Sequence, residues 1–178
     1  MVFNKILAKV TCFFIFLVLV GCSNTSTQTV DIKLPNDIKY IGNGSAGFAL
    51  MSVMGPTGVA VGAAIDVGIA NDIKNMNELS ALQSELNTLI TEYNAHSLID
   101  NPIKKLLIER IDFIALPGDL VKVKLIGTVK SLNSDLVNLS DCDIKEELVA
   151  IKTKKGLANI LIVQAVELSL KEISGERV

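Results

Sequence analysis

"YIGNGSAGFALMSVMGPTGVAVGAAI", residues 40–65, contains no charged side chain. Length alone would allow a tilted or broken membrane span, since a crossing helix needs about 20 apolar residues. Gly55-Pro56-Thr57-Gly58 interrupts the run near its middle. Proline has no N–H to donate and clashes with the preceding turn, so a helix here should bend or break. The stretch therefore predicts two helices of about ten to twelve residues each, some 15–18 Å long and too short to cross alone. We read residues 40–70 as a glycine-rich apolar helical hairpin. Gly58 and Gly62 form a Gly-xxx-Gly pair, and Ala60, Ala64 and Gly68 repeat at intervals of four. Small residues at this spacing let backbones approach closely, within lipid or within a protein. Gly55, Gly58, Gly62 and Gly68 are accordingly the candidate membrane or helix-packing residues. The pattern suits a hairpin dipping into one leaflet or packed against sister chains, and equally a soluble hairpin buried in the body. Asp66, just past the uncharged run, is expected where the chain re-enters water.

The chain begins with a different apolar run. Lys5 and Lys9 precede residues 10–20, and Leu19-Val20-Gly21-Cys22 closes the segment before polar Ser23-Asn24-Thr25. Eleven residues match the h-region of a signal peptide, roughly 7–15 long, and fall short of a span. Leu-Val-Gly-Cys resembles the lipobox of bacterial lipoproteins. That resemblance implies that residues 1–21 are a cleaved leader and that Cys22 is the lipidation site, acylated on its sulfur and on its new amino group. Ser23 after the cysteine, where aspartate would retain a lipoprotein at the inner membrane, implies the periplasmic face of the outer membrane. Several acyl chains anchor stably, each buried methylene contributing about 0.8 kcal/mol. Residues 40–70 in turn bear a likeness to the glycine-zipper segments of some outer-membrane lipoproteins.

Charge narrows the partners. The chain carries 17 basic and 19 acidic residues, and loss of the leader lysines leaves 15 against 19, a net charge of −4. Without basic runs, nucleic acid is not an expected partner. The expected partners are a membrane and envelope proteins or sister chains.

The remainder reads as α+β. Residues 22–39 are polar and turn-prone, a lipidated tether. Residues 71–97 predict an amphipathic helix, because Leu79, Leu82, Leu86, Leu89 and Tyr93 step by three and four; core packing is its expected role. Asn101-Pro102 ends the pattern. Residues 104–178 predict a small β-β-α-β module. Two strands flank Pro117-Gly118, and in the second Val121, Val123, Leu125 and Val129 alternate with Lys122, Lys124, Thr128 and Lys130. Residues 143–155 predict a helix, with acids early, lysines late and Gly156 beyond. Residues 157–173 read as a largely buried strand, with a helix ending at Gly175 the alternative.

No catalytic constellation is visible. His96 has no second histidine or clustered thiol at metal-ligand spacing, so no metal or cofactor is expected. With Cys12 in the leader and Cys22 acylated, Cys142 stands alone, as a buried small residue or a thiol pairing between chains. "GNGSAG" (42–47) lacks the lysine of a phosphate loop. The expected function is a non-enzymatic cell-envelope lipoprotein with a structural or assembly role. The alternatives are a subunit or assembly factor of a secretion, conjugation or surface-appendage machine, and a lipid- or peptidoglycan-binding module.

Overall fold

The two strands around Pro117-Gly118 form the centre of the molecule. The structure, a computed structural model, describes residues 30–42, 45–96, 102–133 and 136–174, the side chains of 45–49 and 96 excepted. The leader, Cys22 and the first part of the tether lie outside the described residues, as does the His96 side chain. In chain order the elements are β1 (Asp31–Lys33), β2 (Ile38–Ile41), α1 (Ser45–Met54), α2 (Pro56–Asn75) and α3 (Leu79–His96). There follow β3 (Ile103–Ala115), β4 (Leu120–Ser131), β5 (Val137–Asn138), β6 (Lys145–Glu147), α4 (Leu148–Thr153) and α5 (Leu157–Ser174). Among the described residues this is an α+β fold, with five helices and one mixed six-stranded sheet.

β3 and β4 pair antiparallel along nearly their whole length, from Ile103 opposite Ser131 to Ala115 opposite Val121. Gly118 and Asp119 take positive φ in the connection, and Leu116 N–H donates to Leu120 O at 2.7 Å. Burial alternates strictly along β4, with Val121, Val123, Leu125 and Val129 inward and the lysines outward. A chain with this period can bury only one sheet face. Gly127 continues the inward row because a Cβ there would overlap the Leu107 carbonyl.

Helices α2 to α5 all bury residues against that face. Leu82, Leu86 and Ile90 of α3 join Ile73 of α2, Ile151 of α4 and Ile162, Val166 and Leu170 of α5 around Leu106, Ile111 and Phe113. Each fully buried side chain of this size contributes about 1.5–3 kcal/mol. The stripe expected on α3 is thus a core stripe, and Tyr93 extends it by donating to Leu170 O at 3.3 Å.

Four expectations need correction. Residues 157–173 form helix α5, not a strand: buried Ala158, Leu161, Ile162, Ala165, Val166, Ser169 and Leu170 keep a three-and-four spacing throughout. The alternation at Val166, Leu168 and Leu170 is a short coincidence inside that longer period. The helix predicted from Asp143 is reduced to α4, because residues 145–147 pair with β4 as β6, with Glu147 opposite Leu120. Asp143 therefore caps no helix; it forms an ion pair with Lys145 at 2.7 Å, which holds its carboxyl below the usual range. The tether ends sooner than residue 39, since β1 and β2 lie parallel to β3, Asp31 opposite Lys105 and Ile38 opposite Ile111. Furthermore, α2 runs on to Asn75, so the amphipathic helix begins at Leu79 rather than Asn71.

Three asparagines fasten the helices. Asn77 Oδ1 accepts from Asn159 N–H at 3.4 Å while Asn159 Nδ2 donates to Glu78 O at 3.2 Å, tying the α2–α3 junction to α5. On α3, Asn94 Nδ2 donates to Ile103 O at 3.0 Å and Asn94 Oδ1 accepts from Ile103 N–H at 2.8 Å. This pair substitutes for ladder bonds at the first residue of β3, where the register shifts. Asn94→Ala would leave a buried donor and acceptor unpaired, and we expect it to cost about 1–3 kcal/mol in urea unfolding. An unchanged midpoint would show that water replaces both bonds.

Candidate functional site

The apolar hairpin exists, and the sequence explains its turn. Gly55 has φ of 60°, ψ of −147°, and Pro56 opens α2 at the first position, where a missing N–H costs nothing. The tip satisfies its own polar groups. Gly55 N–H donates to Met51 O and Gly58 N–H to Gly55 O, each at 2.9 Å, and the Thr57 hydroxyl donates to Met54 O.

The expected packing glycines divide into different roles. Gly58 is buried against α1, and a Cβ there would overlap the Leu50 carbonyl, so its bare backbone sets the approach of the two helices. Gly62, one turn on, is buried as well. Gly55 serves the turn conformation. Gly68 is exposed and has no atom within 4 Å of the site a Cβ would take; it makes no packing contact there among the described residues.

Apart from this seam the hairpin is open among the described side chains. Val53 is 84% exposed and Val67 60%, and Met51, Met54, Val59, Val61 and Ile65 are exposed too. The reading of a hairpin buried within the body is therefore not met: Gly58 packs on the Leu50–Met51 backbone while the large side chains named above stay outside. The residues that sequence reasoning missed are these large ones. Their signal was the lack of any polar face around the helix, a pattern that places a helix in an apolar setting.

Asp66 marks the hairpin's base. Its Oδ2 accepts from Gly42 N–H at 3.2 Å, and a Cβ at Gly42 would meet Oδ1 at 2.5 Å. Tyr40 lies close by. Burial raises its phenol pKa above the usual value, and the carboxylates of Asp66 and Asp119 add to the rise. Beyond Asp66 the helix becomes part of the body: Ile73 is fully buried, and Lys74 forms an ion pair with Asp37 just before β2. No helix among the described residues is long and apolar enough to cross a membrane.

The remaining candidates gather no chemistry. Cys142 is half-buried, its thiol 3.5 Å from Ala165 O and 3.6 Å from Ser169 Oγ. Those contacts occupy the thiol within the fold. Among the described residues no group of three His, Cys, Asp or Glu could hold a metal ion. No family model matches this chain, and no characterised protein or solved structure is detectably similar to it.

Gly58 and Gly68 give a paired test. Gly58→Ala forces α1 and α2 apart, at a cost of about 1–3 kcal/mol for an overpacked contact. Gly68→Ala fills open space on an exposed helix and should stabilise by roughly 0.5–1 kcal/mol through helix propensity. Hydrogen exchange of the α1 and α2 amides reads both, and equal protection in the two variants would deny Gly58 its role.

Proposed function

We propose that this chain is a cell-envelope lipoprotein with a structural or assembly role, not an enzyme. Acylated Cys22 holds it at the periplasmic face of the outer membrane, and the hairpin α1–α2 is its apolar contact with the bilayer. One observation carries the reading: a hairpin without a charged residue from 45 to 65 exposes Met51, Val53, Met54, Val59, Val61 and Ile65 beside a body that has its own core. Leaving such a surface in water is costly, and contiguous exposed apolar patches mark membrane or protein contacts. The internally bonded tip supports lipid as the surrounding, because no water is available there to pair backbone groups. From Asp66 to Gly55 the helix rises about 16 Å, the depth of one leaflet.

A second reading, the subunit or assembly factor of an envelope machine, draws on the exposed row of Ala60, Ala64 and Gly68, which would admit a sister helix. Detergent extraction and sizing separate the two, a discrete ring-sized particle favouring the machine and a monomer the bilayer contact.

Two outcomes test the main reading. Cys22→Ser should abolish palmitate labelling, and undiminished labelling would place the acyl chains elsewhere. Val53→Glu should leave thermal stability within about 0.5 kcal/mol, as expected for an exposed site. The same change should sharply reduce labelling of residues 45–65 by a carbene reagent dissolved in the bilayer. Failure of that reagent to reach the wild-type hairpin in native membranes would remove the lipid contact.

A further inference from the structure

The outer face of the sheet has a charge opposite to that of the chain. Strand register places Lys39 of β2, Lys105 and Arg110 of β3, and Lys122, Lys124 and Lys130 of β4 on the face away from the helices. These six cationic groups surround one buried carboxylate, Asp112, which is 1% exposed. Arg110 Nε lies 2.8 Å from Asp112 Oδ2, and Lys39 and Lys124 are its neighbours across the two adjoining strands. On β1, Asp31 forms an ion pair with Lys105 at 3.9 Å and Lys33 adds a cation; Glu109 occupies the register shift beside Arg110, and Lys145 and Glu147 of β6 offset each other on the same face. Asp141 pairs with Lys122 at 3.1 Å, whereas Lys39, Lys124 and Lys130 make no ion pair among the described residues. Between the cations lie Ile41, exposed, and Leu107, Ile114 and Ile126, half-buried. Lysine stems over apolar side chains, with charged heads outward, form a surface suited to the boundary between headgroups and acyl chains.

We propose that this basic sheet face rests on anionic lipid headgroups of the leaflet that holds Cys22. The proposal builds on the lipoprotein reading above, and chain length connects the two. Asp31, on the edge of this face, is nine residues from Cys22. A relaxed polar tether of that length spans about 17 Å and a taut one about 30 Å. The hairpin leaves the sheet at the other end: β1 starts opposite Lys105 and β2 ends opposite Ile114, about 30 Å further along β3. An upright molecule with its hairpin inserted would stretch the tether to its limit. A molecule lying on its basic face keeps the tether relaxed and the lysines against one leaflet. An anionic leaflet attracts each nearby lysine by a factor of about five in affinity, screened by salt.

The test uses the acylated protein reconstituted in vesicles of phosphatidylcholine alone or with about 30 mol% phosphatidylglycerol. Amine acetylation is followed by mass spectrometry, with Lys155, 80% exposed on the helix side, as the internal reference. We expect Lys39, Lys124 and Lys130 to react at least about fivefold more slowly than in phosphatidylcholine, with the protection lost in about 0.5 M salt. Equal rates in the two compositions, or protection that persists in salt, would overturn the proposal in favour of a protein partner or an exposed face. The intact mass reports acylation separately. An unacylated product defeats the anchor reading, while its lysine rates with the same vesicles still decide the face.

Discussion

A single helix belongs to two environments, and the architecture follows from that. The C-terminal half of α2 is a core element, with Ile73 fully buried among the helices and strands. Its N-terminal half is one arm of the exposed hairpin. Twenty residues of uninterrupted hydrogen bonding connect the two halves. A continuous helix transmits position, so the hairpin is held at a fixed angle and does not hang on a linker. The change of environment falls at Asp66, the first charge after the uncharged run, and the Gly42 N–H fixes that carboxylate beside the end of β2.

The sheet divides in the same manner. With all its packed helices on one side, it can satisfy hydrophobic burial there alone, and period two sends every second residue to the other face. Long cationic stems on that face cover the apolar residues between strands without needing a second helical layer. Asp112 fits this arrangement. A buried carboxylate would be costly in isolation, and the guanidinium of Arg110 with the flanking lysines offsets that cost. The 2.8 Å approach is not aligned as a hydrogen bond, so the Asp112 side chain is held by proximity to cationic groups and not by a directed bond.

Legibility in the sequence followed the strength of the local signal. The β4 alternation, the α3 stripe and the Gly55-Pro56 break were readable because each depends on a few neighbouring residues. Residues 157–173 were misread because α5 is apolar on more than one side, with Ile160 half exposed, and this blurs the period that separates helix from strand. β1 and β2 could not be read at all. Three- and four-residue strands in a polar segment are specified by the long edge of β3, far away in the sequence. β6 likewise depends on the free edge of β4 near its turn. At the candidate site, the glycines were identifiable by type and spacing. Which of them touch anything was not, because Gly58 and Gly68 differ only in what lies opposite.

The parallel placement of β1 and β2 also determines how far apart the two proposed membrane contacts stand. Had the segment after Cys22 been a free tether to residue 39, anchor and hairpin could have met at any orientation of the body. Because Asp31 is paired near one end of β3 and Ile41 near the other, the intervening chain is consumed by the sheet. Orientation then becomes a consequence of strand register. A short tether at one end, an apolar hairpin at the other and a cationic face between them are three constraints on a single rigid body. Burying the hairpin favours tipping that end towards lipid, while the tether's entropy favours keeping the first strand near the headgroups. Laying the cationic face on the headgroups would meet the second demand, and the angle at which α2 leaves the helical layer governs the first.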